Sequence, residues 1–389
     1  MKTPGRAWPP GKVWVVVALI TSFACGGSSG AAAHSPAQQA SPSSTATSSP
    51  SPPAAASTTP QASAGPASPS PAAVTGAYGV LVGAQSGANY TVTLVGTDAK
   101  VVATAQASTP AAVTCANAAA GVVPLPVSSS NSRLYFMDAQ GVIRFLAPSG
   151  DTGRVTTVPV AGARRSMFAV SPDDRRIAVV VADFNSGGAA TRLYVEDLNG
   201  GGNHIELFTQ GGGFTLWPIG WHGTTSIVVA KVPACTQGGG PLCCGPQELH
   251  VIDPATAVRR FTIGGSGCVI AGAASPAGAV CEDTASYSKA TVLTWTAATV
   301  RTVGVAGPTP ANLSPDGALV ALTQFSTGST FINGKDRTLA MQACGWIDST
   351  HVLAGGDAQQ QPRVGNVSTG AVVPVAAQGV CGGRLPGGV

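Results

Sequence analysis

The chain has 389 residues, of which 10% are charged, and it contains 50 glycines and 30 prolines. Glycine and proline make up about a fifth of the chain, against a usual share of roughly 12%, which excludes a mainly helical protein because both are poor helix formers. Three basic residues lie within the first twelve, and the remaining 18 basic and 17 acidic residues nearly balance, so the charge gives no indication of nucleic-acid binding.

The first 24 residues have the organisation of a secretory signal peptide, which is a basic segment followed by a short apolar run. The run at residues 13–24 (VWVVVALITSFA) is shorter than the about 20 apolar residues that span a bilayer. It ends at Cys25 in a sequence that resembles the cleavage site of bacterial lipoproteins, although Ser22 stands where those proteins usually have Leu or Val. The resemblance implies cleavage before Cys25 and diacylation of that residue. Cleavage after residues 31–33, which would release a secreted protein, and an uncleaved anchor are the alternatives.

A segment without core-forming residues follows the signal peptide. Between residues 26 and 75, 45 of the 50 residues are Ser, Thr, Pro, Ala or Gly. Such a segment cannot bury enough apolar surface to offset its chain entropy. We expect residues 25–75 to be a disordered tether that starts at lipidated Cys25 and holds a folded domain of residues 76–389 away from a membrane. Fully extended, the tether would reach about 150 Å.

From Tyr78 onward the sequence predicts an all-β fold. Short runs rich in β-branched and aromatic residues, such as residues 90–95 (YTVTLV), 133–137 (RLYFM) and 176–181 (RIAVVV), are separated by Gly, Asn, Asp and Pro. This is the pattern of strands and turns. Helical periodicity over a window of 11 residues is not convincing anywhere in this part.

A repeated motif predicts how these strands are arranged. Three segments (SPDD, SPAG and SPDG) each precede an apolar run, and each is a turn signal because Pro fixes φ and Ser or Asp bonds the backbone. In two further units a Trp stands near the same position. The anchors of the six units are Ser130, Ser171, Trp221, Ser275, Ser314 and Trp346. Their spacings of 41, 50, 54, 39 and 32 residues are close to the about 40–50 residues of a four-stranded propeller blade.

The Ser-Pro-Asp-Gly turns resemble those of TolB-like and WD40-like β-propellers of bacterial envelope proteins, although the Gly-His and Trp-Asp pair of typical WD40 repeats is missing. The resemblance covers residues 76–389. The six anchored units and the strands of residues 78–108 give seven blades. The first unit lacks an inner strand, which residues 380–384 (VCGGR) would supply, closing the ring and removing an open sheet edge. Six or eight blades and a pair of β-sandwich domains are the alternatives.

Eight cysteines follow Cys25, an even number typical of disulfide-bonded proteins outside the cytoplasm. They are Cys115, Cys235, Cys243, Cys244, Cys268, Cys281, Cys344 and Cys381. We expect Cys268 and Cys281, which flank one of the Ser-Pro turns, to face each other across adjacent strands. Cys115 and Cys381 would begin inner strands of neighbouring blades and lock the ring.

A zinc site is the alternative for the group of Cys235, Cys243 and Cys244. Seven residues separate the first two, and the second pair is adjacent, so the two-residue spacing typical of zinc ligands is missing. We therefore predict disulfides, and neither a metal nor another cofactor.

The sequence predicts no catalytic residue. Its five histidines form neither H-x-H nor H-E-x-x-H, and no serine stands on a recognisable nucleophile elbow. Trp221, His222, Trp346 and Asp348 lie near the predicted inner-strand turns, where one face of the ring forms. Exposed aromatic residues there would make a binding face for a ligand or partner. The alternative is that both tryptophans pack between blades.

These observations predict a non-catalytic, lipid-anchored β-propeller on the outer side of a bacterial cytoplasmic membrane, with a protein- or glycan-binding face. The expected partners are the membrane, through lipidated Cys25, and an envelope protein or glycan. Nucleic acid is not expected, and the chain is expected to be monomeric. Fold is weak evidence for function. An extracellular propeller enzyme of the lactonase or hydrolase type, with a site in the central funnel, and a solute-binding or sensory domain are the alternatives.

Overall fold

The computed structural model describes residues 71–83, 87–115, 119–185, 188–236 and 246–389. Within these ranges the chain forms 30 strands and no helix, arranged in seven four-stranded sheets and one two-stranded sheet. The seven sheets are the blades of a β-propeller, which confirms the predicted fold and blade number. The predicted signal peptide, Cys25 and the tether up to residue 70 lie outside the described residues.

Each blade is a set of antiparallel strands. Blade 1 contains β1 (Tyr78–Val82), β2 (Asn89–Gly96), β3 (Val101–Ser108) and β30 (Val380–Leu385). Blade 2 contains β5 (Val127–Ser129), β6 (Leu134–Met137), β7 (Val142–Leu146) and β8 (Thr152–Thr157). Blade 3 contains β9 (Arg164–Val170), β10 (Arg176–Asn185), β11 (Gly188–Asp197) and β12 (Ile205–Gly212). Blade 4 contains β13 (Phe214–His222), β14 (Ser226–Pro233), β16 (Glu248–Ile252) and β17 (Arg259–Gly264).

The remaining blades follow in chain order. Blade 5 contains β18 (Cys268–Ile270), β19 (Ala279–Asp283), β20 (Lys289–Leu293) and β21 (Thr299–Gly304). Blade 6 contains β22 (Ala311–Leu313), β23 (Val320–Gln324), β24 (Ser329–Asn333) and β25 (Arg337–Leu339). Blade 7 contains β26 (Gly345–Trp346), β27 (His351–Ala354), β28 (Arg363–Asn366) and β29 (Val372–Pro374). The two-stranded sheet pairs β4 (Ala120–Gly121) with β15 (Cys235–Thr236).

One strand from each blade lines the centre of the ring. These inner strands are β30, β5, β9, β13, β18, β22 and β26, and contacts between neighbouring inner strands run from blade 6 through blades 7, 1, 2 and 3 to blade 4. The predicted closure is confirmed, because β30 pairs with β1 from Tyr78 opposite Leu385 to Val82 opposite Val380. The last strand of the described chain therefore completes the first blade.

Both faces of the central strands are buried, which explains why these runs are apolar without alternation. In β10, the side chains of Ile177, Val179 and Val181 pack against blade 2, whereas Ala178 and Val180 pack in the core shared with blade 4. These side chains are at most 1% exposed. Complete burial of a Val or Ile side chain stabilises a fold by about 1.5–3 kcal/mol, so the interfaces between blades are a large part of the stability.

The connection between blades 1 and 2 covers the starting ends of the inner strands of blades 3 and 4. Arg165, at the start of β9, donates a hydrogen bond to the carbonyl oxygen of Ala111. The indole nitrogen of Trp217 donates to the carbonyl oxygen of Val122 over 3.1 Å. The pairing of β4 with β15 adds a third attachment, so this segment is fixed to the ring over its described length.

Candidate functional site

Tight turns after the inner strands form one end of the ring, which we call the turn face. It contains residues 130–133, 171–175, 223–225, 275–278, 314–318 and 347–350, together with residues 386–389 after β30. Propellers present ligands and partners with a rigid surface made of such loops. The candidate residues from the sequence all lie on or beside this face.

The Ser-Pro turns are held by the serine hydroxyl. Ser171 Oγ donates to Asp173 Oδ1 over 2.6 Å and accepts from the N–H of Arg176 at 2.9 Å. Ser314 Oγ makes the same pair of bonds, to Asp316 Oδ1 at 2.6 Å and from the N–H of Leu319 at 2.9 Å. Both serines are fully buried. The hydroxyl thus satisfies donors inside the turn, which is why a Ser stands at these anchors.

Cross-blade hydrogen bonds make the turn face rigid between blades 2 and 3. Asp174, which has a φ of 59°, accepts from Ser132 Oγ over 2.7 Å and from the hydroxyl of Tyr135 over 2.6 Å. Burial, together with the neighbouring Asp174 carboxylate, raises the pKa of Tyr135 well above its usual range. The tyrosine therefore stays a donor at any physiological pH.

The two tryptophans of the predicted binding face are not exposed, which corrects that part of the prediction. Trp221 is 0% and Trp346 is 5% exposed. Each indole N–H donates to a carbonyl of the preceding blade, Trp221 to Ala169 over 3.0 Å and Trp346 to Asn312 over 2.9 Å. The alternative of packing between blades is what the structure shows, because a buried indole needs both an apolar surface and a hydrogen-bond acceptor.

His222 is occupied by the chain itself. Residues 386–389 cross the turn face, with the N–H of Gly387 donating to Ser130 O over 2.6 Å and that of Val389 donating to Trp221 O over 2.9 Å. Nδ1 of His222 lies 2.8 Å from the main-chain oxygen of Val389. This segment therefore covers the turns of blades 2, 3 and 4 and uses the His222 ring as an attachment.

Asp348 organises the turn of blade 7. Its carboxylate accepts from the N–H groups of Thr350 and His351, both over 2.7 Å, and from the Thr350 hydroxyl over 2.9 Å. Nδ1 of His351 lies 3.0 Å from both carboxylate oxygens. Burial alone would raise the pKa of Asp348, but these hydrogen bonds outweigh it and hold the pKa below its usual range. Asp348 is therefore ionised, and its hydrogen-bond partners lie inside its own turn.

A polar groove of about 600 Å³ lies between blades 1 and 2, away from the predicted residues. The residues that line it are Thr104, Ala105, Gln106, Ala107, Ser108, Phe136, Asp138, Gln140, Arg144, Gly150 and Thr152. The Asp138 carboxylate accepts from the N–H groups of Gln140 and Val142, each over 3.0 Å, and contacts Arg144. The charged groups here stabilise the turn between β6 and β7.

Three disulfide bonds are present among the described cysteines. Cys268 is bonded to Cys281, the pair that the sequence suggested. The suggested lock between Cys115 and Cys381 is wrong, because Cys115 is bonded to Cys235 and Cys381 to Cys344. Cys115 lies in the connection that crosses blades 3 and 4, and not on an inner strand as expected. Cys243 and Cys244 lie outside the described residues.

In the described part of the chain, no group of three or more His, Cys, Asp or Glu side chains is placed to hold a metal ion. Within the same ranges, no helical segment has the length and apolar character that crossing a bilayer requires.

Comparison with known proteins finds similarity in fold alone. No protein-family model and no curated protein matches the chain. Among solved structures, the chain is similar to TolB from Acinetobacter baumannii, with 14% identity, 82% of this chain and 67% of that chain covered, and a TM-score of 0.42. It is also similar to Sqt1 from Saccharomyces cerevisiae, with 12% identity, 80% of this chain and 90% of that chain covered, and a TM-score of 0.43. For the WD40 β-propeller domain of Doa1 the identity is 11%, 69% of this chain and 86% of that chain are covered, and the TM-score is 0.39.

The sequence did not single out Arg384, which lies on the inner strand β30 next to the turn face. Its guanidinium is half-buried, and the burial lowers its pKa. The available signal was a long cation at the end of a Gly-Gly pair in the strand that closes the ring.

Proposed function

We propose that this protein is a non-catalytic binding scaffold of the bacterial cell envelope, attached to the membrane through lipidated Cys25, and that it binds a protein partner with the open half of its turn face. The open half consists of the turns of blades 5, 6 and 7. The observation that carries the proposal is the path of residues 386–389, which cover the turns of blades 2, 3 and 4 and leave the other three turns free of this segment.

The turns of the open half are rigid, which suits recognition because a preorganised surface loses little entropy on binding. Ser275 Oγ in blade 5 donates to the carbonyl oxygen of Ser314 in blade 6 over 2.9 Å. Arg301 donates to the carbonyl oxygens of Gly317 and Ala318 at 2.8 and 2.9 Å. The turns of blades 5 and 6 therefore present one fixed surface.

The three disulfides support an extracytoplasmic location, because such bonds persist in oxidising compartments and are rare in the cytosol. The lipid anchor is tested separately. A Cys25→Ser variant should lose metabolic labelling with a palmitate analogue and move from the membrane fraction into the medium. Continued labelling of this variant would contradict the proposed anchor.

Partner binding is tested by a photo-crosslinking amino acid placed at Ala318 or Thr350, both exposed on the open half, in the native cells. Ala285, exposed in the hairpin at the opposite end of blade 5, is the matched control position. We expect the same envelope protein to be captured from both turn-face positions and not from Ala285. Capture that is equal at all three positions, or absent from the two turn-face positions, would refute the proposed face.

A further inference from the structure

The side chain of Arg384 is directed toward blade 7, beside the turn face. Its neighbours Gly383 and Leu385 lie on the side of blade 2, since a β-carbon at Gly383 would be 3.5 Å from Ser129 Oγ and Leu385 packs in the core of blades 1 and 2. Side chains alternate along a strand, so Arg384 points the other way. The charge that acts on its guanidinium is accordingly Asp348 of blade 7.

Within the described residues, the Arg384 guanidinium has no hydrogen-bond acceptor and no carboxylate within ion-pair distance. Asp348 influences it from farther away, and the Asp348 oxygens are already occupied by Thr350 and His351. Arg165 provides the contrast. Burial also lowers the pKa of Arg165, but its guanidinium donates to the carbonyl oxygen of Ala111. Arg384 is thus a partly buried cation whose donors are unused by the described chain.

Such an arrangement favours an external anion. Burying a charge is unfavourable unless it is paired and hydrogen-bonded, and a guanidinium offers five N–H donors in a planar fork. No nitrogen of Arg384 is sealed from solvent in the described structure, so a ligand can reach the donors.

We propose that Arg384 binds the carboxylate group of a small organic acid beside the turn face, between blades 1 and 7. The planar fork of the guanidinium matches a carboxylate with two parallel hydrogen bonds. The ionised Asp348 nearby repels the doubly charged form of phosphate more strongly than a singly charged monocarboxylate, which disfavours phosphate as the ligand. Residues 386–389 extend from Arg384 toward blades 2–4, and so lead away from blade 7.

The first test is thermal unfolding of the full chain in sodium propionate, with sodium chloride and sodium phosphate at the same ionic strength as comparison salts. We expect a saturable rise in Tm with propionate, following the binding equation for a ligand of the folded state, and a weaker effect with phosphate. Arg384→Gln should weaken propionate binding roughly tenfold or more, and Arg384→Lys should weaken it less. Arg337→Gln, which changes an arginine of blade 6, is the matched control and should bind as the wild type does.

The second measurement uses the wild-type protein and does not depend on how a variant folds. Phenylglyoxal modifies arginines, and peptide mass spectrometry locates the modified residues. Propionate should protect Arg384 and leave the modification of Arg337 unchanged. The proposal is overturned if propionate gives no saturable stabilisation, if Arg384→Gln binds it as well as the wild type, or if Arg384 is not protected. Stronger stabilisation by phosphate would overturn the assignment to a carboxylate.

The proposed carboxylate site and the proposed partner binding are tested by different experiments. Propionate binding is measured on the isolated protein, whereas the crosslinking experiment requires the native cells. Loss of the partner crosslink with intact propionate binding would refute the scaffold alone. The reverse result would refute the carboxylate site alone.

Discussion

Removal of the disulfide between Cys344 and Cys381 should destabilise the protein more than removal of the one between Cys268 and Cys281. The first closes a loop of 37 residues and the second a loop of 13. In the chain-entropy model a cross-link stabilises by restricting the unfolded chain, by about 4 kcal/mol for the longer loop and about 3 kcal/mol for the shorter. The first bond also joins blade 7 to β30, the strand that closes the ring. Its loss should therefore loosen β30 in the folded protein as well.

The comparison uses paired substitutions, Cys344→Ala with Cys381→Ala and Cys268→Ala with Cys281→Ala, so that no unpaired thiol remains. Urea unfolding followed by tryptophan fluorescence gives the loss of stability, which we expect to differ by about 1 kcal/mol between the two variants. Hydrogen exchange should increase at β30 only in the first variant. An equal or larger loss from the shorter loop, or unchanged exchange at β30, would refute the reasoning.

Three further outcomes are expected from urea unfolding. Trp221→Phe should cost about 1–3 kcal/mol, because it leaves a buried carbonyl without its donor. Gly278→Ala should destabilise strongly, since its β-carbon would meet a carbonyl oxygen at 1.9 Å, whereas Gly223→Ala, which has open space at a φ of 59°, should cost about 1 kcal/mol. Burial raises the pKa of Glu282, against the opposing hydrogen bond from the N–H of Thr309. The folded state then holds this proton more tightly, so stability falls as pH rises from 4.5 toward the raised value. Glu282→Gln should remove that fall and be at least as stable as wild type at pH 7.

The fold was predictable because its signals are local and repeated. The turns at Ser171 and Ser314 each contain a Pro, an Asp and a hydroxyl that bonds inside the turn, so the residues themselves specify the hairpin. The closing strand was predictable because the unit that begins at Tyr78 has only three strands, whereas a blade needs four. Both inferences depend on short-range sequence and on counting.

The site was less predictable because its contacts join residues far apart in the chain. The bond from Cys115 to Cys235 spans 120 residues, and nothing local specifies that partner. Trp221 stands beside a turn in the sequence, yet its burial depends on Ala169 of the preceding blade. Arg384 looks like any strand-end cation until the surrounding acceptors are known. The spacing of residues predicts which strand or turn a residue occupies, but not which disulfide or hydrogen-bond partner the neighbouring blade provides.

The two proposals meet at one place in the ring, and this makes them testable against each other. Thr350 follows Asp348 by two residues and shares its turn, and Asp348 is the charge that acts on Arg384. Ala318 lies in the turn of blade 6, one blade farther from Arg384. If a partner inserts an acidic side chain at Arg384, saturating propionate should reduce the crosslink at Thr350 more than the crosslink at Ala318. If the partner contacts only the turns, propionate should leave both crosslinks unchanged, and the carboxylate site would then serve a small ligand independently of the scaffold.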